Sequence, residues 1–316
     1  MRRLIPSLLA LALLTACAGR SGPQTPPPSD AQRLLAAGQQ ALADEHFSMA
    51  LGRLQDARVL ARSLDDTETQ IRAVMGQIDI ALIREQSDTA AALAGTLDAL
   101  ARRDGVSALT RAQTTYMLAR VDAAHGRSAL ARQRIAPLIQ RRDALGQVAR
   151  LLDCRELLAA GPSNCAEPLH ASEPLLNARI QRLRAEAAVH DHQAEQAMQW
   201  LESARGLYQQ LGQRTGVAAT LETLAQVAAR AGDWPRACDA MTRGLGANLG
   251  IRNAPAARRL VGSLAQHCAT EPHRQAVLDQ LRLALPEERP ARWHRAAALL
   301  AQYEATLHSP APARPR

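Results

Sequence analysis

Five cysteines are the side chains of this 316-residue chain best suited to covalent chemistry. Cys17 follows an apolar N-terminus, and the other four are Cys154, Cys165, Cys238 and Cys268. Four cysteines favour disulfides if the chain is exported, as its N-terminus described below indicates, and they allow three pairings. Cys238 starts one predicted helix and Cys268 ends the next antiparallel helix, so the two should meet. We expect the pairs Cys154–Cys165 and Cys238–Cys268, with free buried thiols as the alternative.

Histidines offer a second kind of chemistry, metal binding, but their spacing does not favour it. His190 and His192 lie two residues apart, which points them to different sides of a helix. His267 and His273 flank Cys268, but no Cys-x-x-Cys pair accompanies either cluster. The sequence therefore predicts neither a metal nor a cofactor.

Catalytic motifs do not appear with the flanking residues that they need. We find no nucleophile elbow, Gly-rich phosphate loop, HExxH motif or paired-carboxylate pattern. We expect the chain not to be an enzyme. An active site would have to be hidden between residues 131 and 197, where the repeat described below is interrupted.

The N-terminus has the layout of an export signal. Arg2 and Arg3 precede an apolar run, residues 4–14, that is too short to span a bilayer. Leu14-Thr15-Ala16-Cys17 resembles the lipobox of bacterial lipoproteins, which implies cleavage before Cys17 and diacylglyceryl modification and acylation of that residue. Ala18 rather than Asp follows, which in that family implies sorting to the outer membrane. The alternative is an ordinary signal peptide cleaved after Ala16.

Helical periodicity fills most of the remaining chain, and the seven aromatic residues and missing β-branched alternation argue against strands. Residues 221–245 predict two short helices around a turn, with Gly232 ending the first helix and Asp233 capping the second. An alanine three residues into each second helix recurs at intervals of 40, 41, 66 and 40: Ala50, Ala90, Ala131, Ala197 and Ala237. A small residue lies twelve positions earlier in four copies, and Ile78 replaces it in the second copy.

This unit resembles the tetratricopeptide (TPR) repeat, with Ala225, Gly232, Trp234 and Ala237 at the signature positions. Its period exceeds the usual length of about 34 residues, and HEAT-like repeats share the longer period. The expected fold is all-α, a TPR-like solenoid of helical hairpins over residues 30–307. Residues 1–16 form the signal peptide, 17–29 the lipidated Cys and a Pro-rich spacer, and 308–316 a disordered tail. The region around 145–172 is a degenerate hairpin or an insertion.

The resemblance implies a concave groove, lined by the first helix of each repeat, that binds peptides or protein segments. Carried onto this sequence, the groove positions are Gln113, Tyr116, Arg120, Arg179, Arg182, Glu186, Glu222, Gln226 and Arg230. Arginine suits bidentate carboxylate recognition. We expect Arg120, Arg182 and Arg230 to form a basic stripe that acts in binding and not in folding.

Charge narrows the class of partner. All 38 basic residues other than histidine are arginine, and the net charge is +8, or +6 without Arg2 and Arg3. A basic exported chain suits anionic lipid headgroups, acidic glycans or an acidic protein face. Nucleic acid is not expected, since no stacking aromatic platform or zinc-finger spacing is present. The sequence predicts a lipid-anchored periplasmic scaffold that binds an envelope protein. The alternative is a carrier of a small anionic ligand such as a muropeptide or glycan.

Overall fold

The computed structural model describes residues 27–161, 164–268 and 275–280, and the single positions 301, 303 and 305. These residues are helical and contain no strand, which confirms the all-α prediction. The signal peptide, Cys17 and the tail lie outside them. The α-helices are α1 Asp30–Ala43, α2 Phe47–Ser63, α3 Thr67–Ile83, α4 Ser87–Ala101, α5 Ala108–Ala124, α6 Ser128–Ile139, α7 Ala144–Ala160, α8 Pro174–His190, α9 Ala194–Gln210, α10 Arg214–Arg230, α11 Trp234–Ile251 and α12 Ala254–His267.

Consecutive helices pack as antiparallel hairpins, so the chain is a helical solenoid. Each predicted marker alanine is the fourth residue of a second helix and is fully buried: Ala50 in α2, Ala90 in α4, Ala131 in α6, Ala197 in α9 and Ala237 in α11. The residue twelve positions earlier is buried in the first helix of every hairpin, including Ile78 in α3. The repeat register predicted from the sequence is therefore confirmed.

The turn inside each hairpin contains one residue with positive φ, five positions before the marker alanine. Gly232 holds this position before α11, with φ of 80°, and the Asp233 carboxylate accepts a hydrogen bond from the Arg236 N–H at 3.2 Å. Glycine reaches this conformation without a Cβ clash, whereas other residues are strained there. The equivalent positions in the other hairpins are Glu45, Glu85, Gly126 and His192.

Glycines also allow the first two hairpins to approach closely. Leu54 of α2 is fully buried between Gly38 of α1 and Gly76 of α3. A Cβ atom on Gly38 would lie 2.9 Å from Leu54 Cγ, and one on Gly76 would lie 2.8 Å from Leu54 Cδ1. Leu54 therefore fills a slot that side chains at these two positions would close.

The interrupted region of the repeat is a first helix without a second helix. α7 packs against α6 and α8 and also touches α5, as a first helix does. Where a second helix would follow, the described residues 164–173 form only a short 3-10 turn, Asn164–Ala166. A disulfide between Cys154 and Cys165 ties this turn to α7. The second disulfide joins Cys238 in the first turns of α11 to Cys268 after α12, so both expected pairs are present.

The solenoid curves until its early hairpins meet its late ones. Apolar side chains of α1, α2 and α3 form one buried cluster with Ala218 of α10 and Ile251 of α11. We call this long-range contact, together with the polar contacts of Glu45 and Glu85 described next, the clasp. Because of the clasp the helices encircle a central cavity.

Glu45 makes the first polar part of the clasp. Its carboxylate accepts hydrogen bonds from the backbone N–H groups of Arg214 at 2.7 Å and Thr215 at 2.9 Å, and from the Thr215 hydroxyl. These are the first two residues of α10, where N–H groups lack helical partners and favour negative charge. The Glu45 side chain is only 4% exposed, and these donors together with the Arg214 guanidinium, 3.4 Å away, offset the burial of its charge.

Glu85 makes the second polar part, one repeat further along the chain. Its carboxylate accepts hydrogen bonds from Asn253 Nδ2 at 3.3 Å and Arg259 Nη2 at 2.9 Å, and it also pairs with Arg259 Nη1. The hydrogen bond from Arg259 holds the pKa of Glu85 below its usual value, although partial burial opposes this shift. Glu45 and Glu85 thus connect the first two hairpin turns to α10 and α12.

Candidate functional site

The central cavity has a volume of about 820 Å³ and is lined by the first helices α3, α5, α7, α8 and α10 and by the clasp. Ligand sites in proteins commonly measure about 300–1,000 Å³. Apolar side chains such as Leu151, Leu175 and Tyr116 alternate with charged ones on its wall. The cavity therefore offers both apolar surface and polar groups to a ligand.

Seven of the nine residues carried over as groove positions line this cavity: Tyr116, Arg120, Arg179, Arg182, Glu186, Glu222 and Gln226. Gln113 and Arg230 do not. Gln113 precedes Tyr116 by almost one helical turn, and Arg230 follows Gln226 by slightly more than one turn. Each is therefore displaced by roughly 5 Å along its helix, away from the cavity.

Arg120 holds two hairpins together, which differs from the binding role expected for it. Its guanidinium pairs with Asp79 of α3 and lies 5.8 Å from the centre of the Tyr116 ring. Burial is the largest single influence on the pKa of Arg120 and lowers it, but the charges of Asp79 and Tyr116 and the hydrogen bond to Asp79 together raise it above its usual value. Arg120 and Arg182 line the cavity but Arg230 does not, so the expected stripe of these three arginines does not form. Helix packing, which the sequence pattern does not specify, supplies Asp79 as the partner.

Each acidic side chain on the cavity wall has an arginine within 4.0 Å. The pairs are Glu45–Arg214, Asp79–Arg120, Glu85–Arg259, Glu186–Arg182 and Glu222–Arg259. The Arg182–Glu186 pair is the loosest, at 3.8 Å. Five carboxylates of the wall thus share four neighbouring arginines, with Arg259 serving both Glu85 and Glu222.

Arg155 of α7 and Arg179 of α8 also line the cavity, and both side chains are exposed to it. Neither forms an ion pair within the described part of the chain. Arg179 was among the predicted groove residues, whereas Arg155 was not. The signal for Arg155 would have been the identification of residues 144–160 as a first helix, which the missing second helix obscures.

Tyr208 of α9 reaches the cavity because α10 has a glycine where the two helices meet. A Cβ atom on Gly216 would lie 2.2 Å from Tyr208 Cδ1, so the ring occupies the space of a side chain. Burial raises the pKa of the Tyr208 phenol, and nearby Arg182 and Arg179 partly oppose the shift. The hydroxyl is therefore neutral at pH 7 and can donate a hydrogen bond.

Metal ligation finds no support in the described residues, which contain no cluster of three or more His, Cys, Asp or Glu suited to a metal ion. Cys268 is committed to its disulfide with Cys238. His267 stacks on Trp234 with ring centres 4.8 Å apart. His273, the remaining member of that cluster, lies outside the described residues.

Comparison with known proteins gives only distant likenesses. No protein-family model matches the chain, and no curated protein matches it. Among solved structures, NprR in complex with its cognate peptide NprX is 12% identical, covering 87% of this chain and 82% of that chain, with a TM-score of 0.47. BtubC from P. vanneervenii is 14% identical, covering 92% of this chain and 97% of that chain, with a TM-score of 0.31.

Proposed function

We propose that this chain is a lipid-anchored, TPR-like binding protein of the periplasm that takes a peptide or a segment of another envelope protein into its central cavity. The observation that carries the proposal is the cavity wall. It is built from successive first helices, and it combines apolar side chains with arginines that face solvent. Such a surface can recognise an extended chain through side-chain pockets and charged groups.

A binding role accounts for the wall better than catalysis does. The described lining residues include no Ser, Cys or His, the usual nucleophiles and bases. The carboxylates are paired with arginines, so these side chains are engaged in ion pairs that join the helices. We therefore propose that the protein has no enzymatic activity.

The proposed location in the cell envelope rests on the sequence of the N-terminus and on the two disulfides. Cys17 follows an export signal with a lipobox pattern, and the two disulfides suit an oxidising compartment. Among the described residues, no helix combines the length and apolar character needed to cross a bilayer. We propose that lipid on Cys17 anchors the protein to the outer membrane, facing the periplasm.

A Cys17→Ser variant tests the anchor directly. Lipidation requires the thiol, so the variant should stay unprocessed or leave the membrane fraction, and it should lose labelling by radioactive palmitate. Cys154→Ser is a matched control that should fractionate and label as the wild type does. Palmitate labelling of Cys17→Ser at the wild-type level would refute the anchor.

A second function, capture of a small anionic envelope ligand such as a muropeptide or glycan, is favoured by one observation. The clasp closes the ring of helices, and Arg155 and Arg179 inside it are without acidic partners in the described chain. Two arginines without acidic partners on the wall of a cavity suit a compact anion as well as a protein segment.

Recovery from detergent-solubilised membranes separates the two functions. A tagged full-length chain that recovers one stoichiometric protein supports docking of an envelope protein. A clean monomer whose melting temperature rises with muropeptide or glycan supports the small-ligand function. A clean monomer that responds to neither ligand nor peptide would contradict a binding role for the cavity.

A further inference from the structure

We call α7 the half repeat, because it is a first helix that is followed by another first helix, α8. No second helix lies between them in the described residues. α7 and α8 are in contact, and the 3-10 turn and the Cys154–Cys165 disulfide occupy the space beside them. Arg155 directly follows Cys154 on α7, and Arg179 lies in the second turn of α8. Both arginines line the cavity from these adjacent helices.

The charge balance of the cavity leaves these two arginines distinct from the others. All five acidic lining residues are within 4.0 Å of an arginine, and Arg120 and Arg182 are among those partners. Arg155 and Arg179 have no acidic partner in the described residues. A guanidinium presents a planar fork of N–H donors that matches a carboxylate, so these groups are available for an anion.

Two further polar groups on the wall suit the rest of a peptide. Tyr208, close enough to Arg179 and Arg182 to be influenced by their charges, carries a hydroxyl. Asn248 is 1% exposed, and its Nδ2 donates to Glu222 Oε1 at 2.7 Å and to the Gly244 carbonyl at 3.0 Å. Its Oδ1 atom is buried without a hydrogen-bond partner in the described structure. A buried acceptor of this kind needs a donor, such as a ligand N–H.

We infer that the cavity binds a short peptide whose carboxylate is held by Arg155 and Arg179 and whose N–H groups face the Asn248 side of the wall. The inference rests on the proposed function and names the chemistry of its ligand. The carboxylate is a peptide C-terminus or an acidic side chain. Val148, Leu151 and Leu175 on the same wall offer apolar contacts to the neighbouring residues of the peptide.

Affinity selection with three pentapeptide pools tests this subsite on the full-length, detergent-solubilised chain. The first pool has free C-terminal carboxylates and random uncharged side chains, the second is the same pool amidated, and the third is amidated with one internal Glu. Retained peptides are measured by mass spectrometry. A hydrogen bond to a charged group contributes about 1.5–3 kcal/mol, so we expect at least roughly tenfold greater retention of a carboxylate-bearing pool over the neutral pool.

Variants assign that preference to the two arginines. Arg155→Gln with Arg179→Gln should abolish the preference, and the corresponding Lys substitutions should restore part of it, because they return the charge without the fork. Arg230→Gln, an exposed arginine outside the cavity, is the matched control and should behave as the wild type. Melting temperatures should stay close to wild type in all variants, because the substituted side chains are exposed.

The outcomes separate the subsite from the function. Preference for the first pool identifies a C-terminus, and preference for the third identifies an acidic side chain; either supports the inference. Equal retention of all three pools, unchanged in the Gln variants, overturns the carboxylate subsite but leaves peptide binding in place. Retention of none of the pools overturns both. Inorganic phosphate that binds at these arginines and does not displace bound peptide also overturns the subsite.

Discussion

Glu68 and Glu45 perform the same local chemistry at very different distances along the chain. Glu68 of α3 accepts hydrogen bonds from the Ser107 N–H at 2.7 Å and from the Thr110 hydroxyl, at the start of α5, 39 and 42 residues away. Glu45 accepts from the Arg214 N–H at the start of α10, 169 residues away. The first contact joins neighbouring hairpins, whereas the second belongs to the clasp.

The same kind of contact, a glutamate that accepts hydrogen bonds at the start of a helix, therefore stabilises both the stacking of neighbouring hairpins and the closure of the solenoid. Stacking of the next hairpin brings the start of α5 to Glu68 with no requirement on the rest of the chain. Glu45 meets α10 only if the curvature of all the intervening helices is right. Opening the clasp therefore leaves each hairpin packed on its neighbours, as a local opening of a repeat protein does.

Among the substitutions considered, Leu54→Ala should weaken the stacking of neighbouring hairpins most. Leu54 is fully buried between Gly38 and Gly76, and neither glycine can fill the cavity that Ala would leave. We expect a loss of about 3 kcal/mol in the free energy of unfolding, measured by denaturant titration. Leu64→Ala, at a position that is 54% exposed, is the control and should change little. Equal effects of both substitutions would contradict the tight packing around Leu54.

A smaller effect is expected at the clasp, and it should be local. Glu45→Gln removes the charge that several donors share in a buried position, so we expect a loss of about 2 kcal/mol. Glu68→Gln is the matched substitution in neighbour stacking. Amide hydrogen exchange should accelerate at Arg214 and Thr215 in the first variant and at Ser107 in the second. Acceleration across the whole chain in Glu45→Gln would show that the clasp does not open separately.

Local sequence is sufficient to predict how each hairpin forms and stacks on its neighbours. The marker Ala237, Gly232 in the turn and the Asp233 cap specify a hairpin within about 25 residues, and the structure has each of them in that role. Because the groove positions follow from the same register, the sequence is enough to assign most of them to the helix faces that line the cavity.

The clasp and the half repeat could not be predicted in this way. Closure depends on small rotations between hairpins that add up over the chain and on α7, whose missing second helix changes the stacking. One signal was nevertheless present. Glu45 and Glu85 occupy the turn position where two other hairpins have glycine, and a strained non-glycine residue there indicates a role for its side chain.

Acid should weaken the clasp at Glu85. Its pKa is lowered from 4.5, so its contribution to stability is complete above about pH 4.5 and is lost as the pH falls through the lowered pKa. Glu85→Gln cannot titrate. The difference in melting temperature between the wild type and Glu85→Gln should therefore be largest near pH 7 and shrink below pH 4.5. A difference that stays constant down to pH 3 would contradict the ion pair with Arg259.

The smallest effect, and the sharpest contrast, comes from one backbone substitution at two turns. Asp65 has φ of 54° between α2 and α3, and its side chain is exposed. Asp65→Gly should relieve strain and stabilise the fold by about 0.5 kcal/mol, less than for other residue types because Asp tolerates this conformation. Glu45, with φ of 56°, gains the same relief from Glu45→Gly but loses the clasp, so that variant should be destabilised. Denaturant midpoints that move in opposite directions would separate backbone strain from clasp bonding. Stabilisation of both variants would mean that the Glu45 carboxylate contributes less than the strain that it imposes.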